Sequence, residues 1–71
     1  MKKLEIFEID KLPYGTKIQI AYTINGIANA QLATVFNKKI GLRNGKIITK
    51  KELKSWMDDG SCTAYEVDAD A

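Results

Sequence analysis

The sequence predicts a small α+β domain, mostly β: an antiparallel twisted sheet of about five strands, with one short α-helix at about residues 50–58 before the last strand. Three observations carry this. The dipeptides Asn25-Gly26 and Asn44-Gly45 each lie between apolar runs, and tight hairpins demand the left-handed backbone that Asn and Gly accept. The runs themselves are rich in Ile, Val, Thr and Tyr, which favour strands. Thr49, followed three residues later by Glu52, opens the one stretch with helical apolar spacing.

The first strand is expected through Lys2–Asp10, where charged and apolar residues alternate, with a bulge or strong twist at the phase slip of Ile6-Phe7. Lys11–Gly15 breaks the pattern as a loop, Pro13 suiting the second position of a turn and Gly15 its permissive one. A two-residue loop at Asn25-Gly26 pairs Ile24 with Ile27, Tyr22 with Asn29, Ile20 with Gln31 and Ile18 with Ala33. Neither face of that hairpin is cleanly polar, as expected of a sheet covered in part on both sides or curved by a bulge in the third strand.

Asn37-Lys38-Lys39 reads as the next turn and Ile40-Gly41-Leu42 as a short strand. The second Asn-Gly then sets Leu42 against Ile47 and Arg43 against Lys46. In the helix, Ile48 precedes the cap and Leu53 sits one turn in, a hydrophobic staple, and Gly60 closes the C-terminal end. Leu53, Trp56 and Met57 form the core-facing stripe with Trp56 as anchor, leaving Lys50, Lys51 and Lys54 outside. Ser61–Val67 supplies a final strand that pairs with the first. Residues 1–67 thus make one domain and 68–71 a short acidic tail. The succession of strands, tight turns, one helix and a closing strand is similar to an SH3-like or Sm-like small barrel, a likeness of architecture that carries no function.

With 71 residues and one cysteine, Cys62, neither a deep cleft nor a disulfide framework is expected. No histidine is present, which removes Ser-His and Cys-His nucleophiles, histidine-bearing zinc sites and the commonest general base. Asp58-Asp59 and Asp68-x-Asp70 are the tight carboxylate pairs, read as solvated acids rather than a magnesium site. The expectation is therefore no enzyme, no catalytic residue, no metal and no cofactor. Acidic residues interrupt the basic start Met1-Lys2-Lys3, so a cytoplasmic protein is expected. The uncharged run 18–37 carries amides and a turn, so no membrane span is expected.

The formal net charge of +2 conceals an asymmetry. Lys38, Lys39, Arg43, Lys46, Lys50, Lys51 and Lys54 face only Glu52 within 38–54, while residues 58–71 hold five acids and no base. Asp58 and Asp59 also oppose the helix macrodipole, which marks them as a candidate contact for a basic partner. The first functional expectation is a small non-enzymatic adaptor or inhibitor that acts by protein–protein contact. Lysine, isoleucine and asparagine abundance with a single arginine fits an AT-rich bacterial, phage or mobile-element source, in which such a protein would block a host protein. The alternative is a nucleic-acid-binding small barrel that grips DNA or RNA phosphates through the basic 38–54 residues. A second copy of the chain, hiding a sheet edge as a homodimer, is a further expected partner.

Overall fold

The computed structural model describes residues 2–67; the acidic tail inferred at 68–71 lies outside the described residues. The elements in chain order are β1 (Lys2–Lys3), α1 (Ile6–Ile9), β2 (Lys17–Ile24), β3 (Ile27–Val35), β4 (Lys39–Leu42), β5 (Ile47–Thr49), α2 (Lys50–Asp58) and β6 (Cys62–Glu66). The strands form one six-stranded antiparallel sheet in the order β1-β6-β2-β3-β4-β5. The mostly β class holds, in its open-sheet form: the ladder runs from β1 at one edge to β5 at the other.

The β2–β3 hairpin has the register its turn dictates, from Ile24↔Ile27 through Ile18↔Ala33 to Lys17↔Thr34, with no bulge. Asn25 and Gly26 both take positive φ, 52° and 80°, the backbone that a two-residue loop between right-twisted strands needs. The final strand does pair with the first, and it also lies against β2, so β6 is interior. The β-rich expectation for Ser61–Val67 was therefore correct in pairing and incomplete in position.

The first nine residues differ from expectation. Only Lys2–Lys3 is strand, and Ile6–Ile9 is one helical turn. Glu5 and Glu8 make it: the Glu8 carboxylate accepts from Glu5 N–H at 2.9 Å, while Glu8 N–H closes the turn on the Glu5 backbone carbonyl at 3.0 Å. The phase slip at Ile6-Phe7 is the start of this turn, not a bulge, and it turns Leu4, Ile9 and Leu12 into the core. In the following loop Pro13 is the first residue of the turn, not the second: Thr16 N–H donates to Pro13 O at 3.1 Å around Gly15, whose φ is +90°.

Helix α2 has the predicted boundaries. The Thr49 hydroxyl accepts from Glu52 N–H and Glu52 reaches back to Thr49 N–H, both at 3.0 Å. At the far end Ser61 N–H reaches Trp56 O at 2.8 Å and Gly60 N–H reaches Met57 O, a Schellman closure that requires the positive φ of Gly60.

Both helices lie side by side on one face of the sheet and bury Ile18, Ile20, Ala33, Val35, Ile40, Ile48, Cys62 and Ala64 beneath Leu4, Ile9, Leu12 and Leu53. The anchor of α2 is Leu53, fully buried, and not Trp56, which stands at the rim with 38% of its surface exposed. Nine residues cannot hold a helix by local bonds alone, so Leu53 fixes α2 to the sheet. Among the described residues no helix is long and apolar enough to cross a membrane. Replacement of Leu53 by Ala is expected to cost about 2–5 kcal/mol in urea denaturation followed by far-UV circular dichroism. Trp56→Ala is expected to cost clearly less; the reverse order would return the anchor to Trp56.

Candidate functional site

Sheet parity decides where each charge goes. On β2, β3, β6 and β4 the residues Ile18, Ala33, Ala64 and Ile40 face the helices, so Lys17, Thr34, Tyr65 and Lys39 face the other side. Lys39 and Arg43 of the expected basic set therefore lie on the bare outer face. Lys46 borders a groove on the helix-bearing face, Lys38 sits in the β3–β4 turn, and Lys51 is exposed on α2.

Lys50 and Lys54 do not have the free, outward placement expected. Lys50 is 9% exposed, with its stem covered and its N–H donated to Lys38 O at 3.0 Å, which continues the β4–β5 ladder into the helix. Lys54 Nζ sits 2.6 Å from Asp10 Oδ2, tying α2 to the end of α1. The structure therefore divides the seven cations among several surfaces.

The expected opposition of Arg43 and Lys46 is also corrected. Gly41 faces Ile47 and Ile40 faces Ile48, so Leu42 lies opposite Lys46 and not Ile47; Leu42 N–H donates to Lys46 O at 2.7 Å. The loop is three residues long, with Gly45 at φ +92° and Asn44 not left-handed, and Gly45 N–H closes on Leu42 O at 3.0 Å. A type I turn with a glycine bulge replaces the two-residue turn. Asn44 Oδ1 accepts from Lys46 N–H at 2.9 Å and stabilises that form.

Asp58 and Asp59 end α2 with no basic residue in its last turn. Asp59 is the C-cap, and its Oδ1 accepts from Ser61 N–H at 2.8 Å. Hydrogen bonds from Ser61 hold its carboxyl below the usual carboxylate value. The unfavourable helix-end charge is thus offset locally by the turn that leads into β6.

The feature that sequence reading missed is the length of the β2–β3 hairpin. β6 pairs with β2 only as far as Tyr22↔Cys62, and β4 pairs with β3 from Ala33 onward. Beyond those points the hairpin is an arm. Its helix-side parity carries Ile24 and Ile27, 54% and 67% exposed. Where the arm leaves the body a groove of about 420 Å³ opens, floored by Ile20, Leu42, Ile48 and Cys62 and bounded by Tyr22 and Trp56.

At its edge the Gln31 amide donates to Tyr22 Oη at 2.9 Å and accepts from Asn44 N–H at 3.2 Å. The two amides that broke the apolar face in the sequence, Asn29 and Gln31, therefore stand past the helices, where polar groups reach solvent or one another. Burial, with Asp59 adding to it, pushes the Cys62 thiol up, so the groove floor is uncharged.

The outer edge of β3 is also open. Arg43 N–H donates to Leu32 O, so even-numbered residues of β3 direct their backbone groups away from β2. Leu32 and Thr34 face β4, while Ala28 and Ala30 have no strand beside them among the described residues. Among the described residues no three His, Cys, Asp or Glu side chains gather to hold a metal ion.

Asp59→Asn keeps an acceptor for Ser61 N–H but loses the charge. Because the Asp59 pKa is lowered on folding, its contribution is complete above the ordinary carboxyl range and is lost as pH falls through the depressed value. Thermal melts are expected to show the variant less stable at neutral pH, with the gap closing as pH falls below about 4; a gap independent of pH would mean that the charge contributes nothing. No family model matches the chain, and neither a curated protein nor a solved structure matches it, so its role rests on its own arm, groove and charge.

Proposed function

We propose that the protein is a small non-enzymatic binding module that acts as an adaptor or inhibitor by taking an extended segment of a larger protein against the β2–β3 arm. The single observation that carries this is the coincidence of an unpaired strand edge with an exposed apolar surface. Ala28 and Ala30 offer outward N–H and C=O groups, and Ile24, Ile27 and Trp56 lie exposed on the adjoining face.

Edges of this kind are normally blunted by lysine, proline or a bulge. Residues Ile27–Gln31 contain none of these. An added strand would gain main-chain hydrogen bonds from the alanines, whose methyl side chains let another backbone approach. Alternate side chains would fall on the groove side, where Tyr22, Leu42 and Trp56 supply apolar contact. Covering a large apolar side chain contributes about 1.5–3 kcal/mol, so Ile27 and Trp56 together account for a meaningful part of a micromolar affinity.

The cytoplasm is the compartment proposed for this activity, and blocking a host protein on behalf of a phage or mobile element is the proposed biological setting. The arm supports the protein-binding reading directly. By contrast, the nucleic-acid reading based on residues 38–54 as one face loses Lys50 to packing and Lys54 to Asp10.

Two substitutions test the arm without touching the β2–β3 ladder. Ala30→Pro removes an outward N–H that no strand uses, and Ile27→Asp places charge on an exposed side chain. Both are expected to leave the melting temperature within a few degrees of the parent. Affinity capture with the purified protein should recover a discrete partner that both variants lose; a partner retained by both variants would place binding elsewhere on the molecule.

A further inference from the structure

The outer face of the sheet, which no helix covers, segregates charge more completely than the sequence does. Lys3 and Tyr65 are paired on that face, Lys17 lies across from Thr34, Lys39 projects from β4, and Arg43 follows at its end. The carboxylates of Glu5, Glu8, Asp10, Glu52, Asp58 and Asp59 belong to the two helices and their caps. Glu66 pairs with Ile18 on the helix-bearing face. At the paired strand positions, and at Arg43 just past β4, the outer face therefore receives four cations and no carboxylate. Lys17 Nζ spends its charge on a neutral acceptor, Thr34 Oγ1 at 2.7 Å.

Between these cations the surface is concave. A depression of about 390 Å³ has Lys17 on one wall and Arg43 on the other, with Leu32 and Thr34 between them and Phe36 at one end. Phe36 lies over Gly41 so closely that a Cβ at that position would come within 2.7 Å of its ring. Glycine thus lets the ring lie down on the sheet, and Tyr14 packs edge-on against it at 5.7 Å. The ring remains partly exposed, its position fixed on two sides.

We propose that this outer face binds single-stranded nucleic acid, with one base stacked on Phe36 in the depression and the flanking phosphates on Lys17, Lys39 and Arg43. The charge selects a polyanion, because four unopposed cations on a low-dielectric sheet attract phosphates and release their counterions. The partly exposed Phe36 ring selects an unstacked base, since a duplex keeps its base faces hidden. This surface is on the opposite side of the sheet from the groove, so it stands or falls independently of the protein-binding reading.

The experiment is fluorescence anisotropy of labelled oligothymidylate and oligouridylate with the full chain over a range of salt concentration. Salt-dependent binding is expected. The double variant Lys17→Gln, Arg43→Gln should weaken it and make the slope of log affinity against log salt shallower by about 1.4, about 0.7 for each cation removed. Phe36→Leu, which still covers Gly41, should weaken binding about tenfold and leave that slope unchanged. Lys51→Gln, on the helix layer, should change nothing, and melting curves confirm that every variant is folded. Absence of binding at low salt would overturn the proposal, as would an equal loss on Lys51→Gln. Displacement of the oligonucleotide by polyglutamate at matched charge would also overturn it, in favour of an acidic polypeptide as occupant.

Discussion

Everything in this structure follows from a shortage of cover: two short helices have to shield one face of a six-stranded sheet. A nine-residue helix is about 14 Å long, whereas six strands at about 4.8 Å span about 24 Å and the hairpin strands run close to 30 Å. The cover therefore sits where burial is densest, over the proximal halves of β2 and β3, with α2 packed against α1, β5 and β6 and Leu53 fully buried. What remains uncovered is the distal arm on one face and the whole of the other face. The groove beside Trp56 is the boundary of the cover, which is why its floor is core and its rim is exposed.

That boundary explains side chains that look misplaced by local rules. Gln31 has core parity, yet a buried primary amide without partners would cost several kcal/mol. It stands one same-face step beyond the buried Ala33, where Tyr22 Oη and Asn44 N–H satisfy it. The bond from Asn44 N–H joins the arm to the β4–β5 turn, while the bond to Tyr22 Oη ties the two strands of the arm to each other at the groove's edge. Trp56 completes the rim from the helix, and the Schellman closure that follows directs the chain straight into β6.

How much of this was legible in the sequence depended on whether the determining signal was local. The β2–β3 register, α2 with its cap and staple, and the closing Gly60 were readable because each is set by the backbone preference of a few adjacent residues. The Asn44-Gly45 turn shows the limit: the same dipeptide as at 25–26 folds differently, because Arg43 N–H is held by Leu32 O across the sheet and Asn44 is not left-handed. The first helix was hidden by its length, since a single turn shows no period and Glu5 and Glu8 alternate with apolar residues as a strand's would. The basic set was misjudged for a third reason. Clustering along the chain says nothing of facing until sheet parity is known, so Lys50 and Lys54 were included while Lys3 and Lys17, far away in sequence, were not.

The segregation of charge has its own physical cause. Helix ends leave backbone N–H groups without partners, and carboxylates are the side chains that satisfy them. Glu8 and Glu52 are engaged in this way, Asp59 accepts the N–H that turns the chain out of α2, and Asp10 answers Lys54 between the helices. Acids are thus drawn to the helix layer by the bonds that build it. An antiparallel sheet face makes no such demand, because its backbone groups are paired within the ladder, and a lysine with a long stem suits a half-covered strand position better than a short carboxylate does. A chain with a net charge of only +2 therefore becomes electrically two-sided as a result of folding, and the side left positive is the one that the helices never cover.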